Sequence, residues 1–221
     1  MKLKIMKKKI SILLSMLAFS CQSKEKVQDL PQLKPNKSME FQNKLEVATF
    51  SGGCFWCTEA VFLELEGVKT VTSGYIGGKT VNPSYSDICR GDTGHAEAIQ
   101  ITFDPSTISF GELLEVFFAT HDPTTLNRQG NDTGTQYRSE IFYHNTNQKT
   151  TSEDYIALLT KENTFGKPIV TVISEATKFY NAEDYHQNYY NDNANQGYCR
   201  YVIGPKLEKF EKVFKAKLKK D

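Results

Sequence analysis

Two cysteines stand three positions apart in GGCFWCTEAVF (Gly52 to Phe62), with Phe55 and Trp56 between them; Trp56 is the only tryptophan of the 221-residue chain. Thiols do chemistry as thiolates, either as nucleophiles or as metal ligands. The pair therefore admits three readings: a redox couple, half of a metal site, or inert cysteines packed as small hydrophobes. From Cys54 the sequence reads as a helix running to Gly67. Cys54 thus stands at or near a helix N-terminus, where the dipole and free N–H groups lower a thiol's pKa. Cys57 lies one turn on, on the same face, within reach of a disulfide. Cys89 and Cys199 could complete a zinc site with this pair. Neither supplies the second close-spaced pair typical of such sites, and two bulky aromatics inside a metal knuckle are unusual, so no metal is expected.

A candidate acid lies on a strand. In HAEAIQITFD (95–104) alternate side chains share a face, which aligns Glu97 with Ile99, Ile101 and Phe103. In that company a carboxyl is desolvated, its pKa rises, and it can donate a proton near neutral pH. The alternative is that Glu97, close to the strand's start, reaches water. Two other clusters are polar. LNRQGNDTGTQYRS (126–139) reads as a loop. FYNAEDYHQNYYND (179–192) gathers four tyrosines and His186, and suits either a pocket for a small, partly polar group or tyrosines packed at the core's rim.

The elements that must position these groups follow from the hydrophobic pattern. EVATF (46–50), VKTVTSGYIGG (68–78), 95–104, QYRSEIFYHN (136–145) and KPIVTVIS (167–174) read as strands. Ser109 with Glu112 forms a capping box that opens a helix through LLEVFFATH. Residues 147–163 read as a helix, AEDYHQNYYND (182–192) as a short one, and KLEKFEKVFKAKLKK (206–220) as an amphipathic one. Strands and helices interleave. The expected fold class is α/β (α+β), a two-layer sandwich with a mixed β-sheet and the reactive cysteine at a helix N-terminus; the pattern does not set the strand order.

The front of the chain differs in kind. Residues 1–20 run from five lysines into an apolar stretch, Ile10 to Phe19, that ends at Ala18-Phe19-Ser20-Cys21. That stretch is about half of what a membrane-spanning helix needs and resembles a lipoprotein signal, with cleavage before Cys21 and a lipid on its thiol. Residues 21–45 read as a flexible tether and 46–221 as the functional domain. The expected location is therefore outside the cytoplasm, lipid-anchored to a bacterial membrane. Loss of five lysines and no acids takes the net charge from +1 to −4, which leaves no basic face for nucleic acid.

In order along the chain, GGCFWCTEAVF, GYIGG, NPSYSDICRGDTGHAEAI, HDPTTLNRQGNDTGTQYRS, FYNAEDYHQNYY and YCRYVIGPKL resemble segments of the A-type peptide methionine-S-sulfoxide reductases, from residue 46 to about 207. The resemblance implies Cys54 as the nucleophile on the sulfoxide sulfur and Glu97 as proton donor to its oxygen. It implies Phe55 and Trp56 as the wall for the S-methyl group, Tyr85 and Tyr137 as hydrogen-bond donors to the oxygen, and Asp132, His186 and Tyr189 as the rest of the pocket. Cys54 would become a sulfenic acid and condense with a second thiol, and a thioredoxin or periplasmic thioredoxin-like reductant would reopen the disulfide. Substrates would be oxidised proteins or peptides and free methionine sulfoxide. No cofactor is implied, and a monomer is expected.

The commonest family pattern has glycine where Cys57 stands, which leaves two candidates for the resolving thiol. Cys57 is favoured by proximity. Cys199 follows NDNANQG, a polar stretch expected to be mobile, and would have to be brought in from a distance. A thioredoxin-like thiol-disulfide oxidoreductase is the nearest rival, since it too starts a helix with Cys-x-x-Cys after a strand, but it needs neither Glu97 nor the tyrosines. A lipid-anchored binding module with incidental cysteines is the other.

Overall fold

The computed structural model describes residues 30–32 and 44–220. The expected signal segment 1–20, Cys21 and most of the tether lie outside the described residues. Among the described residues no helix is long and apolar enough to cross a membrane.

Strand β1 (Glu46–Gly52) leads through Gly53 into α1 (Phe55–Leu63), with Cys54 as the residue preceding the helix. Then come β2 (Val68–Ile76), α2 (Tyr85–Arg90), β3 (Ala96–Phe103) and α3 (Phe110–Thr120). A short hairpin, β4 (Arg128–Gln129) and β5 (Asp132–Thr133), is followed by a 3-10 turn over Thr135–Tyr137. The rest comprises β6 (Ser139–Tyr143), α4 (Thr146–Lys161), β7 (Val172–Glu175), β8 (Tyr180–Asn181), α5 (Tyr189–Asp192) and α6 (Gly204–Val213). The main sheet has the order β7-β6-β1-β3-β2-β8, antiparallel throughout except for the β6–β7 pair. It is the mixed sheet that the interleaved pattern predicts.

The main core joins Ala48, Phe50, Ile99, Ile101, Phe103 and Ile141 of the sheet to apolar residues of α1, α3 and α4. Leu30, from the expected tether, is 8% exposed and belongs to this cluster. A smaller cluster on the sheet, Ile76, Ala96, Ala98 and Phe142, is covered by Ala176 and Phe179.

Several elements differ from the pattern's expectation. Helix α1 stops at Leu63 rather than at Gly67, because Leu65 bridges to Leu218 and the Glu64 carbonyl accepts from the Lys219 amide. The stretch 182–192 is two pieces, a 3-10 turn over Asp184–His186 and then α5, separated by Asn188 in the left-handed region at φ 51°. The closing helix is preceded by a π-helix over Cys199–Ile203 and ends at Val213. Only the end of KPIVTVIS, from Val172, pairs as a strand.

The turn that carries Cys54 is fixed from behind. A Cβ on Gly52 would meet the Phe117 ring at 2.9 Å, and Gly53 has φ +94° with Gln129 packed where a side chain would go. Next to Phe117, His121 is buried, and its Nδ1 donates to the Phe117 carbonyl at 2.6 Å. Its Nε2 therefore accepts from the Ser139 hydroxyl, 2.7 Å away. Burial brings the His121 pKa down to about 4. The unfolded chain takes up this proton near pH 6.5 and the folded one only near pH 4, so stability is lost as pH falls through that window. The expected loss is about 3 kcal/mol in unfolding free energy. Chemical denaturation of the wild type and His121→Gln at pH 7 and pH 4.5 measures it; an equal pH dependence in the two would remove His121 from the account.

Candidate active site

An open cavity of about 190 Å³ is lined by Cys54, Phe55, Trp56, Tyr85, Glu97, Asp132, Tyr137 and Tyr198. The topology explains how six of the predicted residues and Cys54 meet. Cys54, Phe55 and Trp56 start α1, Glu97 is the second residue of β3, and Tyr85 opens α2. Asp132 lies on β5 and Tyr137 ends the 3-10 turn that follows it.

Glu97 is 2% exposed, and its Oε2 accepts from the Phe55 amide at 3.1 Å. Burial pushes its pKa up to about 8, the Phe55 N–H holding it back while Asp132 and Cys57 add to the rise. It is thus a protonated carboxylic acid at neutral pH. Tyr85 and Tyr137 are half-buried, and their hydroxyl pKa values are raised, first by burial and then by Glu97. Both remain neutral hydrogen-bond donors.

Cys54 and Cys57 are buried free thiols. Contrary to the expectation from its place at the helix start, the Cys54 pKa is raised, chiefly by its hydrogen bond with Cys57 and next by burial. The Cys57 pKa falls to about 7, chiefly through the same hydrogen bond, with Lys206 and Tyr198 assisting against burial. The pair shares one proton: the Cys54 S–H stabilises a Cys57 thiolate. The first free N–H of α1 is occupied by Glu97, so this helix-end donor is directed to the carboxyl instead of the Cys54 sulfur.

Cys199 does not wait at a distance. It is 0% exposed and packs in one apolar cluster with Cys54, Cys57, Ala60 and Ile203. Burial raises its pKa, and the nearby Cys57 adds to that. Its polar leader is largely exposed, but the chain turns inward at Tyr198, whose hydroxyl donates to Asp132 Oδ2 at 2.8 Å and lies 3.7 Å from Cys57 Sγ.

His186 and Tyr189 stand behind the cavity wall and do not line the cavity. The Trp56 indole N–H donates to His186 Nδ1 at 3.1 Å, and the Tyr189 ring stacks on Trp56 at 3.7 Å and 7°. Burial lowers the His186 pKa, consistent with a neutral ring that accepts at Nδ1. Cys89 is exposed, on α2. No group of three or more His, Cys, Asp or Glu that could hold a metal ion occurs among the described residues.

Sequence reasoning missed two residues here. Tyr198 lines the cavity and ties Asp132 to Cys57. Glu59 is a buried carboxylate that accepts from the amides of Asn188 and Tyr189. Tyr198 could have been singled out as the aromatic next to Cys199, and Glu59 as a charge on the face of α1 that carries Trp56.

The peptide methionine sulfoxide reductase family model matches residues 46–218. The chain is 57% identical over 174 residues to the peptide methionine sulfoxide reductase MsrA of Deinococcus radiodurans, covering 79% of this chain and 84% of that protein. It is 58% identical over 174 residues to MsrA 1 of Rhodopirellula baltica, covering 79% and 90%. The crystal structure of reduced Mxr1 from Saccharomyces cerevisiae is similar at a TM-score of 0.63 and 34% identity, covering 76% of this chain and 94% of that one. With the family model spanning the whole described domain and relatives this similar along their own length, the chain belongs to the peptide methionine sulfoxide reductase family.

Proposed function

We propose that the chain reduces the S epimer of methionine sulfoxide, in proteins and free, to methionine, and that the cavity around Cys54 is where it does so. The observation that carries this reading is the meeting, in one cavity, of a thiol, a buried acid held protonated at neutral pH and an aromatic wall. Breaking an S–O bond needs a soft nucleophile on sulfur and an acid on oxygen. Phe55 and Trp56 hold the S-methyl group, and Tyr85 and Tyr137 donate hydrogen bonds to the sulfoxide oxygen.

As the Cys54 sulfur bonds to the sulfoxide sulfur, its proton passes to the Cys57 thiolate with which it is already shared. Glu97 protonates the sulfoxide oxygen. The bond between the two sulfurs then breaks as the hydroxyl passes from the substrate sulfur to Cys54; methionine leaves and Cys54 is a sulfenic acid, so the substrate sulfur is reduced and the Cys54 sulfur oxidised. The Cys57 thiol then attacks that sulfur; a Cys54–Cys57 disulfide forms and the hydroxyl departs with a proton as water. A thioredoxin-like dithiol then reduces the Cys54–Cys57 disulfide, taking the oxidation onto its own disulfide, and exchange with Cys199 is a side route that cycling does not require. The packing of all three cysteines in one cluster supports short-range exchange among them.

The chain's place in the cell is a proposal on the sequence alone: residues 1–20 as a signal, Cys21 lipidated, and the domain from residue 46 held outside the cytoplasm. Cys21→Ser should move the protein from the membrane to the soluble fraction with its turnover intact. Wild-type protein found soluble and starting at Met1 would rule the anchor out.

The reductive step needs the thiol pair ionised once, above about pH 7, and Glu97 protonated, below about pH 8. Single-turnover methionine release from the S epimer should therefore follow a bell with limbs near those values. Glu97→Gln should slow it roughly 10²- to 10⁴-fold and flatten the alkaline limb. Equal turnover of the R epimer, or a loss of less than about threefold in Glu97→Gln, would contradict the assignment.

The three thiols separate by mutation. Cys54→Ser should abolish all activity. Cys57→Ser should still release one methionine per enzyme but fail to cycle with thioredoxin, whereas Cys199→Ser should cycle at close to the wild-type rate. If Cys57→Ser cycles and Cys199→Ser does not, Cys199 is the first resolving thiol.

A further inference from the structure

Glu59 is 1% exposed and does not line the cavity. A carboxylate so placed needs partners for both oxygens. Its Oε1 accepts from the Asn188 amide at 2.9 Å and its Oε2 from the Tyr189 amide at 3.2 Å. Both donors belong to the segment where the expected helix breaks, at the left-handed Asn188 and the first residue of α5.

The consequence lies one helical turn back. Trp56 and Glu59 are three apart on α1 and stand on one side of it. The Tyr189 main chain is held by Glu59 while its ring stacks on the Trp56 indole at 3.7 Å. The indole N–H is taken by His186, two residues before Asn188. Trp56 is therefore held by two neighbours from one segment, and Glu59 fixes the main chain of that segment. We infer that Glu59 is a positioning residue, which holds the Trp56 wall of the cavity in place through Tyr189. The inference rests on the reading of Trp56 as the wall for the substrate methyl group.

The choice of a carboxylate has a physical reason. Two N–H donors converge on two oxygens, and an amide would offer one acceptor and turn its NH₂ against the other donor. A buried N–H left unpaired is costly, and the segment must shift to relieve it.

Trp56 is the only tryptophan, so its fluorescence reports the stack independently of turnover. In the whole domain, Glu59→Gln should shift the tryptophan emission and raise KM for a methionine-S-sulfoxide peptide about tenfold, with kcat within about twofold. Tyr189→Leu, which leaves Glu59 in place, should reproduce both changes. Adding Glu59→Gln to Tyr189→Leu should then change KM by less than about twofold, since the stack it protects is already gone. Unchanged emission in Glu59→Gln, or full additivity of the two substitutions, overturns the inference. An emission shift with unchanged KM sustains the positioning and overturns instead the reading of Trp56 as the methyl wall.

Discussion

The Phe55 amide donates to the Glu97 carboxyl at 3.1 Å, and this one bond pins the beginning of α1 to the second residue of β3. It sets the distance between a thiol and an acid that belong to different elements, 43 residues apart in the chain. It also decides electrostatics at both ends. The N–H moderates a carboxyl that burial would otherwise drive higher still, which leaves Glu97 with a pKa of about 8, acidic enough to give its proton and protonated enough to have one. Because that donor is used up on Glu97, it does not reach the Cys54 sulfur, and the hydrogen bond with a neighbouring thiol keeps the proton on Cys54.

That neighbour is Cys57, and its presence changes the character of the site. A lone buried thiol beside a carboxyl would resist ionisation; two thiols sharing a proton lose the first one readily, because the remaining S–H stabilises the charge. Cys199 completes an apolar cluster that packs all three cysteines together with Ala60 and Ile203.

What the sequence made legible is local. The alternation in β3 put Glu97 among apolar neighbours, and the cysteine spacing put Cys54 at the start of a helix with Cys57 in its first turn; both placements hold. The Ser109–Glu112 capping box forms as its spacing predicts. Its counterpart Ser84–Asp87, which opens α2, is less legible, because aspartate at the third position makes a weaker signature than glutamate. What was illegible depends on partners far along the chain. The break at Asn188 comes from Glu59, some 130 residues away, and the inward turn before Cys199 comes from Asp132, 66 residues before Tyr198. A polar run such as NDNANQG shows that a segment is exposed; it does not show where the next residue is tied.

Tyr198 makes that tie consequential. Its hydroxyl bonds Asp132 and lies against Cys57, its ring meets Trp56 edge-on at 6.0 Å, and its next neighbour in the chain is Cys199. One residue thus lines the cavity, lies against Cys57 and leads into the third thiol. The position of the third thiol beside the pair therefore depends on a bond from Tyr198 to Asp132, 66 residues earlier in the chain, and not on the polar run that precedes it.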